Sequence, residues 1–272
     1  MVGRSTLVTY DGHKSLSELA RDYGVGLDNL MNANGLTQQT RPRRGTSLVV
    51  PSQYILPPLQ HRGIVINLPE KRLYFYPNQN EVYVFPVAIG ALGKDSPIQT
   101  FQIRDKRKNP VWTLPKQAKE ELIKHGKKAP DTYPAGPNNP LGTRAMRLSF
   151  TSYLIHGTDR PHIVGTRASA GCITMYPEDI EMLFDMAPEK TQVTIINMPV
   201  KWASINHQYW IEAHPPHQEA AWLPTPITTE SRHLLTRMSI PEKLRPKKTY
   251  DSLDSILRGA SGLPSTLYWP FN

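Results

Sequence analysis

The chain has 272 residues, 26 prolines against 17 glycines, and no apolar run of membrane-spanning length, so it has room for one or two folded domains and is not expected to be mostly helical. A net charge of +9 favours anionic partners, but short basic clusters such as Arg41–Arg44 and Lys106–Lys108 lack interleaved aromatics, which argues against nucleic acid. One cysteine, Cys172, excludes an internal disulfide and a cysteine-rich zinc site, and Met1-Val-Gly-Arg4 lacks the basic-then-apolar pattern of a secretory signal.

Residues 5–51 read as strand, helix, helix, strand. The β-type run Thr6–Tyr10 leads into Asp11-Gly12, and Leu16, Leu19, Ala20 and Tyr23 follow with helical spacing up to Gly24. Asp28 is placed to cap a second short helix carrying Leu30, Met31 and Ala33, which stops at Asn34-Gly35. Pro42 and Gly45 bracket a turn before Leu48-Val-Val50 and Pro51. These features, with Asn32-Ala-Asn34-Gly35 and Gly45…Leu48-Val-Val-Pro51, resemble a LysM module, a resemblance that implies binding to N-acetylglucosamine-containing glycans such as peptidoglycan. Each named residue also has a plain role as turn or core.

Residues 52–62, with Pro57-Pro58, read as a linker. Beyond it, Ile64–Leu68, Arg72–Tyr76 and Glu81–Ile89 are short β-rich runs separated by turn signals, which predicts an antiparallel sandwich or barrel across residues 63–200. Residues 104–143 carry six prolines and read as a long irregular stretch with a helical insert near Lys116–His125. Pro177–Met186 is one prominent amphipathic helix, and Thr191–Ile196 closes the domain as a strand. Residues 201–272 read as an appendage, partly irregular, with helical patches near Glu230–Met238 and Ser252–Leu257.

The chemistry concentrates between Leu154 and Pro177. His156 ends an apolar run and meets Gly157, while Cys172 follows Gly171 in the small-residue turn Ser169-Ala-Gly-Cys172. A thiol beside an imidazole becomes a thiolate nucleophile, and the imidazolium can then protonate a leaving amine. The amides of Gly171 and Cys172 are candidates to meet a developing oxyanion. Against this stand two plainer readings: an inert buried cysteine and a satisfied core histidine. At Arg167, a substrate carboxylate and a partner within the loop both remain open. Asn138 and Asn139 either fix turns or line a donor groove. His162, preceded by proline, reads as exposed loop.

The run His156-Gly157…Gly165…Arg167…Ser169-x-Gly171-Cys172-Ile173…Met175, with His and Cys sixteen positions apart, resembles the active-site signature of the YkuD-type L,D-transpeptidases. Pro134–Gly142 and the Gly63–Tyr76 hairpin resemble that family as well. A preceding LysM resembles the ErfK/YbiS/YcfS/YnhG branch of Gram-negative bacteria. The resemblance implies a mainly β protein: a βααβ LysM, then a barrel-like catalytic domain with its prominent helix after the cysteine. It implies Cys172 as nucleophile, His156 as proton carrier and Gly171 as oxyanion amide, with Ser169, Arg167, Gly157 and Asn139 at the substrate, and neither metal nor cofactor. The implied partners are peptidoglycan stem peptides and glycan, with an outer-membrane lipoprotein lysine as one acceptor, and the implied location is the periplasm. Ala170 stands where many members have His, and Thr174 where Arg or Asn is common. The rival functions are a hydrolase using the same acyl-enzyme and a silent LysM wall-binding protein.

Overall fold

The runs Ile64–Ile66 and Leu73–Tyr76 are buried at every residue, so their strands are covered on both faces. They belong to one of two compact units, residues 61–66 with 71–195; the other comprises 1–60, 67–70 and 196–272. The computed structural model describes residues 1–114, 116–124, 126, 129–216, 227–242 and 245–269.

The first unit is built on one mixed sheet. Its strands are β5 (Gly63–Asn67), β6 (Arg72–Asn78), β7 (Glu81–Gly90), β8 (Thr100–Lys108), β11 (Arg144–Leu148), β12 (Leu154–His156), β13 (Arg167–Ser169), β14 (Ile173–Met175) and β15 (Gln192–Ile196). Their order is β13-β7-β14-β12-β11-β8-β15-β5-β6, and β6 also pairs with β7, which closes the sheet into a barrel-like ring with β13 outside it. Most pairings are antiparallel, whereas β12 runs parallel to β14 and β13 parallel to β7. The helix after the cysteine, α4 (Pro177–Met186), has proline in its first turn and buries Ile180, Leu183 and Phe184. Lys106 donates to the carbonyls of Phe184 and Ala187, placing a cation where the negative end of the α4 dipole emerges.

The stretch 104–143 is less irregular than its prolines suggest. Phe101 and Ile103 alternate with exposed Gln102 and Arg104, so β8 is a period-two strand whose outer end is disguised by charge. A two-residue ladder, β9 (Trp112–Thr113) with β10 (Thr132–Tyr133), brackets α3 (Lys116–Lys124). Pro115, just before the expected helix, and His125, its expected last residue, lie outside the described residues.

In the other unit, β2 (Thr6–Thr9), α1 (Leu16–Asp22), α2 (Leu27–Ala33) and β3 (Ser47–Val50) follow the expected order, with β2 antiparallel to β3. Ala20, Val25, Leu30 and Val50 form the core between them. Helix α1 starts with a capping box: Ser15 Oγ accepts from the Glu18 amide, and the Glu18 carboxylate accepts from the Ser15 amide. The N-cap of α2 is Gly26, not Asp28, which sits inside the first turn, where its charge suits the helix dipole. Gly24 and Gly35 have φ of +61° and +62° just past the two helices, as C-terminal glycines do.

The C-terminal segment carries more structure than its composition suggests. Strands β16 (Val200–Ile205), β17 (Gln208–Ala213) and β18 (Ser265–Thr266) form a sheet, and α5 (Ile227–Arg237) and α6 (Lys247–Gly259) bury Leu234, Leu235, Leu253 and Leu257 with Ile211 and Leu267. Residues 217–226, 243–244 and 270–272 of the expected appendage lie outside the described ones. Within this unit the Lys201 ammonium is fully buried, 3.0 Å from Glu70 and 3.1 Å from Glu212, and it also donates to the Ile55 carbonyl. Glu212 accepts from the Ile55 amide at 2.6 Å and lies 2.8 Å from His214 Nε2. Glu70, Glu212 and His214 are close enough to bind a metal ion, but the space between the two carboxylates is already taken by this ammonium.

Candidate active site

His156 ends β12 in the middle of the barrel-like sheet, paired with Ala145 of β11 on one side and with Thr174 of β14 on the other. Side chains alternate along a strand and match across a parallel pair. Continuing the Ile155–Ile173 and His156–Thr174 register places Cys172 beside Leu154, whose backbone hydrogen-bonds the thiol. His156, Thr174 and Cys172 therefore share one face, with the backbones of His156 and Cys172 offset by two residues, or ~7 Å, along the strands.

The imidazole is held in one tautomer. Its Nδ1 lies 2.6 Å from the Gly157 carbonyl, an acceptor only, so Nδ1 carries the proton and Nε2 presents a lone pair. Thr174 Oγ1 stands 3.5 Å from that Nε2. Burial without a counter-charge drives the His156 pKa from its ordinary 6.5 down to about 4, opposed weakly by the Gly157 carbonyl. Cys172 keeps partial exposure as a residue, yet its sulfur is enclosed, and burial pushes its pKa up while the Leu154 hydrogen bond pulls it down. The resting pair is thus neutral thiol and neutral imidazole. Both directions run against the expected preformed thiolate, since burial of the sulfur outweighs the Leu154 hydrogen bond.

The turn before Cys172 is clamped on several sides. Ser169 Oγ accepts from the Gly171 amide at 3.1 Å and donates to the Cys172 carbonyl at 2.5 Å. The Gly171 amide therefore faces into the turn, which corrects its expected role as an oxyanion donor, and Ser169 acts as the brace rather than as a substrate contact. Gly171 has φ +100°, and a Cβ there would lie 2.8 Å from Tyr153 Cε1, so only glycine fits. Ser96 Oγ donates to the Gly171 carbonyl at 2.9 Å and accepts from the Gly90 amide at 3.0 Å. Residues 91–96 fold back so tightly that a Cβ on Gly90 would meet the Lys94 carbonyl at 2.1 Å.

The remaining expected residues support the site from outside the thiol. Arg167 donates to the Gly90 carbonyl at 3.2 Å and pairs with Asp95 at 2.6 Å, so the loop role prevails over substrate binding. Gly157 accepts from the imidazole, and its amide donates to the Arg144 carbonyl; a Cβ would crowd Ile180 at 3.1 Å. Asn139 is buried, with its amide NH₂ donating to the carbonyls of Pro110, Tyr133 and Pro134 and its Oδ1 accepting from the Leu141 amide. That knot ties together both ends of the 110–134 excursion, and Asn139 is buried within it, which favours the turn-fixing role. Asn138 and His162 are exposed. Sequence reasoning missed Ser96 and Tyr153, whose contacts with Gly171 come from chain segments far from it.

Comparison with known proteins places the chain in a family. The YkuD family, the L,D-transpeptidase catalytic domain, matches residues 61–195, the span of the barrel-like unit. The probable L,D-transpeptidase ErfK/SrfK of Escherichia coli is 36% identical over 252 residues, 88% of this chain and 81% of its own length. The probable L,D-transpeptidase YbiS of the same species is 40% identical, covering 79% of this chain and 72% of its own. Among solved structures, an Enterococcus faecium L,D-transpeptidase aligns over 51% of this chain and 50% of its own, at 20% identity and a TM-score of 0.39. With the YkuD match over the unit that holds His156 and Cys172, and relatives this similar along most of its length, the chain belongs to the L,D-transpeptidase family.

Proposed function

We propose that Cys172 and His156 are the nucleophile and proton carrier of a two-step acyl transfer on peptidoglycan stem peptides. The observation that carries this reading is the shared face of β12 and β14, which carries both the thiol and an imidazole whose Nε2 lone pair is left available by the Nδ1–Gly157 hydrogen bond. As the sulfur attacks the carbonyl of the third stem residue, its proton passes to Nε2. The oxyanion is met by the Cys172 amide. The imidazolium then protonates the leaving amine, the C–N bond breaks and D-Ala departs, leaving a thioester. An acceptor amine, deprotonated by Nε2, attacks that thioester and returns the thiol.

The acceptor is either a side-chain amine of another stem, giving a 3–3 crosslink, or the lysine of an outer-membrane lipoprotein. Residues 5–51, with their LysM-like order, serve to hold the glycan, and the reaction belongs in the periplasm. Among the described residues no helix is long and apolar enough to cross a membrane. The test is mass spectrometry after incubation with purified tetrapeptide muropeptides and an amine acceptor, for wild type and Cys172→Ala. Loss of D-Ala with a Cys172 thioester or joined stems is expected only in the wild type. Tripeptide alone would move the reading to hydrolase, and no reaction with glycan binding intact would move it to a silent wall-binding protein.

A further inference from the structure

We propose that Ser96 is a positioning residue that aims the oxyanion-binding amide of Cys172, by anchoring the carbonyl at the other end of the same peptide unit. The inference rests on the acyl-transfer reading above and deepens it. The Gly171 carbonyl and the Cys172 N–H belong to one planar peptide bond, and that bond is trans. In a trans unit C=O and N–H point in opposite directions, so whatever fixes one fixes the other. Ser96 Oγ–H holds the Gly171 carbonyl at 2.9 Å, and the donor is itself almost fully buried. The Cys172 N–H is thereby turned away from residues 91–96.

Ser96 does not act as a loose hydroxyl. Its Oγ accepts from the Gly90 amide at 3.0 Å, so the hydroxyl rotor is set and its single proton is committed to Gly171. Gly90 ends β7, which pairs with β14 through Ala88–Thr174 and Val87–Met175. Ser96 therefore references the Gly171–Cys172 peptide to the strand that neighbours Thr174. Ser169 clamps the adjoining units through the Gly171 amide and the Cys172 carbonyl, and it leaves the intervening peptide to Ser96. Gly171, at φ +100°, gives that peptide the rotational freedom that an anchor must remove.

A donor aimed before the reaction stabilises an oxyanion without reorganising; one free to swing does not. Removing an oxyanion donor outright costs about 10²- to 10³-fold in kcat, so releasing its aim is expected to cost about 10- to 100-fold. The experiment compares two reactions of Cys172 in the full chain: acylation by a tetrapeptide muropeptide, which develops an oxyanion, and alkylation by iodoacetamide, which forms a thioether, expels iodide and develops none. In Ser96→Ala, acylation is expected to fall 10- to 100-fold while alkylation stays within about twofold, and Ser96→Thr, which keeps the hydroxyl, is expected to recover most of the acylation rate. Wild-type acylation in Ser96→Ala overturns the proposal, as does an equal loss in both reactions, which marks general disordering of the turn. If Ser96→Ala does not fold, Ser96→Thr against Ser96→Val carries the same comparison, and equal acylation rates in those two overturn it. A wild type that alkylates but never acylates refutes the acyl-transfer reading itself, a different failure.

Discussion

The neutral, buried imidazole of His156 makes a prediction about stability and pH. An unfolded chain protonates this histidine near 6.5, whereas the folded protein resists until about 4. Between those values the unfolded state binds more protons, so stability is fully present above pH 6.5 and declines as pH falls toward 4, below which the loss levels off. At roughly 1.4 kcal/mol per pH unit, the drop from 6.5 to about 4 amounts to about 3 kcal/mol. His156→Gln removes the titration. The assay is amide hydrogen exchange, read by mass spectrometry on peptides covering β11 to β14, for wild type and His156→Gln at pH 7 and pH 4. The difference between the two proteins cancels the intrinsic pH dependence of exchange. Protection in the wild type is expected to fall by about 3 kcal/mol more than in the variant. Parallel losses would show that the imidazole is not held neutral by burial, and the proton-carrier argument would lose its starting state.

Three further outcomes follow from named contacts. Lys201→Ala strands the Glu70 and Glu212 carboxylates in a fully buried space and is expected to cost about 3–5 kcal/mol, read as a lower urea midpoint for the tryptophan signal of β16–β17. Ser15→Ala removes half of the α1 capping box and is expected to cost about 1 kcal/mol, measured as protection of the α1 amides. Because burial pushes the Cys172 thiol up, its alkylation by iodoacetamide is expected to be slow at neutral pH and to climb past pH 9; a plateau already at pH 7 would restore the preformed thiolate.

The parts of this site that were legible in the sequence are those whose information is local. His156 before Gly157, and Cys172 in a small-residue turn, announce themselves within a few residues, and the apolar runs at 64–68 and 72–76 announce buried strands. The directions of side chains were not legible. Ser169 reads equally well as a substrate contact or a brace, and only the fold shows its hydroxyl consumed by Gly171 and Cys172. Arg167 is decided by Asp95, 72 positions away, and Gly171 by Ser96, 75 positions away. Both depend on the return of residues 91–96 over Gly90, which follows from strand pairing and not from any local pattern. Asp28 failed as a cap for a smaller reason: the chain enters α2 two residues earlier, at Gly26, where no side chain caps the helix.

A neutral pair changes what the clamped turn must do. With a preformed thiolate the sulfur reacts with any electrophile, and the oxyanion donor only speeds the intended one. With the thiol pushed up and the imidazole pushed down, proton transfer from sulfur to Nε2 is uphill until negative charge is stabilised elsewhere. In the proposed acyl transfer the charge that makes it favourable is the oxyanion itself, met by the Cys172 amide. Activation of sulfur is then coupled to the presence of a correctly placed carbonyl, and soft oxidants or alkylating agents meet a thiol that reacts slowly at neutral pH. The same depressed imidazole pKa works in favour of the next step, since an imidazolium in this pocket gives up its proton readily to the departing amine. In the proposed mechanism the desolvation that slows attack would speed expulsion of D-Ala, and selectivity for carbonyl substrates would follow from how firmly Ser96 and Ser169 hold one turn of backbone.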